Sequence, residues 1–153
     1  IELKKRAAYR IAWNIKHMLD ECGHSNTDLC KYPLIHSDFV IVGKSCDEAS
    51  YNEHVIPRLV IVKECHRRFE RGDSIESVAD LIEKSLKVVL ITEEEAKKID
   101  SLHKQDMPEG WTFETGCAFA RLKKAGINWK ALDPIPDFHC YSGKCSDACK
   151  QSD

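Results

Sequence analysis

The sequence predicts an α+β fold, mainly helical, built around a small β-sheet. Apolar residues recur at three- and four-residue steps over several long stretches, as helix faces require. Short β-branched runs, Phe39 to Val42 and Leu86 to Ile91, stand between turn residues and read as strands. Neither an internal repeat nor a low-complexity linker interrupts the chain, and 153 residues suffice for one core. The expectation is one domain over residues 1–138, followed by an irregular Cys-rich tail at 139–153.

Leu3, Ala7, Ala8, Ile11, Ile15, Met18 and Leu19 place a first helix over the opening twenty residues, ending before Gly23. Gly23 to Pro33 is polar and turn-like, and Phe39 to Val42 forms a strand ahead of Gly43. After the polar loop Lys44 to Ser50, Tyr51 to Ile56 is extended. Pro57 suits a first helical turn, with Leu59, Val62, Cys65, His66 and Phe69 carrying the helix up to Gly72. Asp73 or Ser74 caps a helix whose inner face is Ile75, Val78, Leu81 and Ile82. Leu86 to Ile91 is the clearest strand, and Thr92-Glu93-Glu94-Glu95 directly after it is a capping box opening a helix to about His103. Met107 to Gly110 is a break. A helix from Glu114 to Lys124 stops at Gly126, and Asp133 to Pro136 opens the irregular end.

With 23 Lys plus Arg against 25 Asp plus Glu, the net charge of −2 excludes a polycation, while a local basic patch remains open. No apolar run approaches the roughly 18 to 20 residues of a membrane span, and the expected site of action is the cytoplasm. The chain opens at Ile1 with no signal-like segment and reads as processed or as a piece of something longer. Five of the eight cysteines are scattered without local repeat, which favours reduced, packed thiols over a disulfide framework. His139, Cys140, Cys145 and Cys149 alone have ligand-like spacing, for zinc, against a frayed or disulfide-bonded tail.

The densest polar stretch is Tyr51-Asn52-Glu53-His54-Val55-Ile56-Pro57-Arg58, where an acid and a histidine stand side by side near a strand end. Phosphodiester hydrolysis needs a base titrating near neutrality and a divalent cation against the scissile phosphate, and a His beside a carboxylate-bound metal supplies both. Glu53-His54-Val55-Ile56-Pro57 resembles the acid-His-hydrophobic-hydrophobic-Pro motif of His-Me finger (ββα-metal, HNH-like) nucleases. The resemblance implies a strand, strand, helix element running from this segment through Leu86 to Ile91 into the helix at Thr92. It implies His54 as general base, and Glu53 with Glu95, or else Glu94, as ligands of Mg²⁺, Mn²⁺ or Zn²⁺. The family often uses an Asn to orient its histidine, and the segment Arg58 to Ser85 contains none. The wider pattern, from Phe39 to Gly43 through to Gly110-Trp111, is similar to a set of small bacterial proteins, some of them read as nuclease toxins or phage-defence endonucleases. A toxin implies an immunity protein as partner.

Arg58, Lys63, Arg67, Arg68 and Arg71 concentrate positive charge just after this motif, and are read as contacts to flanking phosphates or as a solvated face. Lys4, Lys5, Arg6 and Arg10 read as a solvated face, and Trp111, Phe113 and Phe119 as core or staple residues and not a base-stacking platform. Cys65 and His66 diverge by about 100° on a helix and do not make a thiol–imidazole pair by adjacency. The leading expectation is a metal-dependent nuclease, of DNA more than RNA. Its rivals are a non-catalytic nucleic-acid or protein binding module with a possible zinc site, and a cysteine-dependent enzyme.

Overall fold

A computed structural model describes residues 2–132 of the chain, so His139, Cys140, Cys145, Cys149 and the expected tail lie outside the described residues. The fold is mixed α+β, as the patterning implies. Among the described residues five α-helices and a four-stranded sheet fall into two units: residues up to Val40 with Arg58–Leu86, and Ile41–Pro57 with the described residues from Lys87 onward.

The first unit is helical. Helix α1 (Glu2–Cys22) buries Ala7, Ala8, Ile11, Ala12 and Ile15, packing chiefly on α3 (Ile75–Ser85) and also on α2 (Arg58–Glu70). The three alanines add little bulk between the helix axes, so neighbours approach closely. Helix α2 contributes Ile61, Val62, Cys65 and Phe69 to the core, and α3 contributes Val78, Ala79, Leu81 and Ile82. Gly23, at φ 75°, ends α1 with its N–H bonded to the Leu19 carbonyl at 2.8 Å, a left-handed stop that suits glycine. Of the two candidate caps for α3, Ser74 takes the role, its Oγ accepting from the Ser77 N–H at 3.1 Å.

The second unit holds β1 (Ile41–Lys44), β2 (Tyr51–His54), β3 (Val88–Ile91), α4 (Glu93–His103), α5 (Ala120–Lys124) and β4 (Lys130–Ala131). The sheet order is β2-β3-β1-β4, with β1 and β3 parallel and the other pairs antiparallel. A parallel pair needs a long crossover, which is why β2, α2 and α3 all lie between β1 and β3 in the chain. Gly43 in β1 is dictated by packing: a Cβ there would run into the Trp129 ring and the Lys130 carbonyl. Trp129 is itself stacked on Phe119, ring centroids 4.8 Å apart.

Several boundaries differ from expectation for local reasons. Ser37–Phe39 is a 3-10 turn capped by His36, whose Nδ1 accepts from the Asp38 N–H, so β1 begins at Ile41. The expected helix from Glu114 shrinks to α5. Thr112 Oγ1 accepts from the Thr115 N–H, the Gly116 N–H bonds to the Thr112 carbonyl, and the Trp111 indole donates to the Cys117 carbonyl, which together hold a turn. Trp111 and Phe113 meet edge to face and Phe113 and Phe119 are buried, matching their expected place in the core. No helix among the described residues is long and apolar enough to cross a membrane.

Candidate functional site

In the second unit the strand pairing fixes where the motif residues go. Residue Glu53 faces Val89 and His54 faces Val88, at the start of β3, while α4 leaves from its other end after Ile91. At about 3.3 Å per residue, that register sets the backbone of His54 roughly 10 Å along the strand from Ile91, and α4 starts beyond Ile91. The strand, strand, helix order exists, but His54 and the first turn of α4 occupy opposite ends of it.

Both proposed ligand carboxylates already hold protein partners. Glu53 is buried, and its Oε1 accepts from Arg121 Nη1 at 2.8 Å. Arg121 is buried too, with its guanidinium fully used: Nη1 also donates to the His54 carbonyl at 2.8 Å, while Nε and Nη2 reach the His103 and Lys104 carbonyls at the end of α4. One residue on α5 thereby ties β2 to α4. Burial pushes the Glu53 carboxyl above its usual range, with the Arg121 charge and hydrogen bond pulling the other way. Since the Val55 N–H bonds to the Lys87 carbonyl and Glu53 lies opposite Val89, it is Asn52 and His54 whose backbone groups turn away from β3. The His54 carbonyl is therefore met by Arg121 on the sheet's outer rim.

Glu95 completes the expected capping box: its Oε2 accepts from the Thr92 N–H at 2.9 Å, and its own N–H bonds to Thr92 Oγ1 at 3.2 Å. Ser45, just past β1, donates to the same Oε2 at 2.7 Å. Glu93 and Glu94 are exposed. Among the described residues no three His, Cys, Asp or Glu side chains gather so as to hold a metal ion. The donor set thus does not fit the divalent cation that the nuclease resemblance implies.

In the first unit, the cations expected to grip phosphates on α2 are largely balanced by nearby acids. Arg67 meets Glu64 through Nε at 2.9 Å and Nη2 at 2.7 Å, and Arg68 Nε meets the same carboxylate at 2.9 Å. These bonds hold the Glu64 carboxyl below its usual range. Arg71 makes two bonds to Asp73, at 2.7 and 2.6 Å. Lys63 is exposed. Arg58 opens α2, and its Nη1 is buried without a hydrogen-bond partner among the described residues. Cys30 and Cys65 are buried free thiols; burial pushes Cys30 up to about 11 and Cys65 higher still, so neither is a ready nucleophile.

The least expected surface is the outer face of α1. Arg6, Tyr9, Arg10, Trp13 and His17 follow one another at three- and four-residue steps on the side away from the buried alanines and isoleucines. Trp13 is 45% exposed and Tyr9 39%, and the Trp13 and His17 rings lie 4.0 Å apart by centroid. Arg6 pairs with Glu2 in open solvent, and Arg10 donates to the Leu34 carbonyl at 3.3 Å. The cations here read from the sequence as a solvated face; the signal beside them is Trp13 and Tyr9, four residues apart and outside the apolar stripe. Compared with protein-family models, curated proteins and solved structures, the chain matches none.

Proposed function

We propose that the chain is a nucleic-acid binding module that engages single strands through the outer face of α1. The observation that carries this reading is Trp13, a large aromatic at the centre of a solvent-facing helix surface, with Tyr9 and His17 one turn away and Arg6 and Arg10 beside them. Exposed rings offer unpaired bases a stacking platform, and flanking cations follow the phosphates, which is the recurring chemistry of single-strand binding. The Arg6–Glu2 pair, with both side chains more than two-thirds exposed, is screened by water and costs little to exchange for a phosphate contact.

The nuclease reading asks more of the same chain. Glu53 would have to leave Arg121 in a buried site, and Glu95 would have to leave Thr92 and Ser45, before either met a metal. Binding through α1 needs neither rearrangement.

Titrating the protein with a single-stranded oligonucleotide tests the proposal, since Trp111 and Trp129 are packed against other side chains and Trp13 is the exposed indole. Quenching that saturates, weakens as salt rises and exceeds that given by a duplex is the expected result. Trp13→Ala is expected to weaken binding by about 1–3 kcal/mol while leaving the fold intact. Equal affinity of wild type and Trp13→Ala would overturn the reading. In the same series, plasmid and RNA incubated with Mg²⁺ or Mn²⁺ separate the hydrolytic alternative: cleavage that is abolished by chelator and by His54→Ala would favour it.

A further inference from the structure

Away from α1's outer face, in the first unit, Ser25 and His66 form a pair that neither the nuclease motif nor the binding surface uses. Ser25 sits in the short loop after α1, and His66 is in the middle of α2. Ser25 Oγ and His66 Nε2 share a short hydrogen bond although 41 positions separate them in the chain. Both side chains are only partly covered, so the pair is accessible from solvent. Glu70, one turn further along α2, and His24, next to Ser25, are the charged or titratable neighbours that act on the imidazole.

We propose that Ser25 and His66 are a nucleophile and its general base, able to take an acyl group from a small ester or thioester. A hydroxyl is a weak nucleophile until an adjacent base within hydrogen-bond reach accepts its proton, and Nε2 stands at that position here. The tautomer with its proton on Nδ1 leaves the Nε2 lone pair facing Oγ. Oγ attacks the acyl carbon as its proton passes to Nε2; the ester C–O or thioester C–S bond breaks, and the leaving alkoxide or thiolate takes that proton. Water then attacks the acyl-serine, gives a proton to Nε2, and Oγ departs and is reprotonated from His66. Partial burial of His66 holds its pKa below the usual imidazole value and keeps the base neutral at physiological pH.

A fluorophosphonate probe reports the pair directly: Oγ displaces fluoride from phosphorus and a stable phosphonyl-serine remains. Intact-protein mass spectrometry followed by peptide mapping is expected to place the label on Ser25 of the folded wild type. His66→Gln, at a partly exposed position, is expected to slow labelling at least about 100-fold, the lower range of general-base contributions. His66→Ala is expected to lose labelling and to regain part of it when free imidazole is added. Absence of label on Ser25 in the folded wild type overturns the proposal without reference to any variant, and so does an unchanged labelling rate in His66→Gln. Oligonucleotide binding through Trp13 is read separately and stands or falls on its own.

Discussion

At the scale of single residues, the pair Arg121–Glu53 decides most. A buried carboxylate costs several kcal/mol unless it is paired, so Arg121→Met leaves Glu53 and three backbone carbonyls unserved and is expected to cost about 3–5 kcal/mol in urea unfolding at neutral pH. Adding Glu53→Leu to Arg121→Met should recover much of that loss, because an apolar side chain has no charge to strand. Between the usual value of 4.5 and its raised value in the fold, the Glu53 carboxyl keeps a proton that the unfolded chain has released, so it favours the native state less as pH rises through that window. His66 works in the opposite sense. Burial lowers its pKa from 6.5, so the unfolded chain takes up a proton first and stability falls as pH drops below about 6.5. A thermal-melt series across that range should show the dependence flattened in His66→Gln. Of these contacts, Glu64 with Arg67 and Arg68 was legible in the sequence, since three- and four-residue spacing puts them together on one helix face. Arg121 was not. Its partner lies 68 positions away, and its place near the end of a helix allows an ordinary dipole explanation.

Among the elements, the helices were read well where apolar spacing and a cap agreed. Helix α1, the Ser74 cap of α3 and the Thr92–Glu95 box all follow from side chains within four residues of one another. Thr92→Ala is expected to cost about 1 kcal/mol, and Glu95→Ala more than a capping position alone would, because it also releases Ser45 from the end of β1. Chemical denaturation of the two variants checks the order. The interval 114–119, which the sequence reads as the start of a helix, is instead a turn held by Thr112, beside which Trp111 and Phe113 pack. The candidate site was legible as residue types but not as geometry. Glu53, His54 and Glu95 carry the right chemistry in the right order, and only the strand register, set by long-range pairing, says that His54 and Glu95 belong to opposite ends of β3.

For the whole molecule, connectivity matters more than composition. The chain passes between the two units after Val40, after Pro57 and after Leu86, so neither unit is one continuous segment. Residues 87–132 alone would retain β3 but lose β1 and β2, the strands on both its sides, and are expected to show no cooperative thermal transition by circular dichroism. Among the described residues β2 stands at one end of the sheet order and bears a rim of backbone groups facing away from β3, and such a rim is a template on which another chain can add a strand. Arg121 occupies that rim at the His54 carbonyl with a charged group, which makes it a guard against self-association as well as a tie within the fold. Losing it would therefore show first as concentration-dependent assembly of chains, visible by light scattering before any loss of helix.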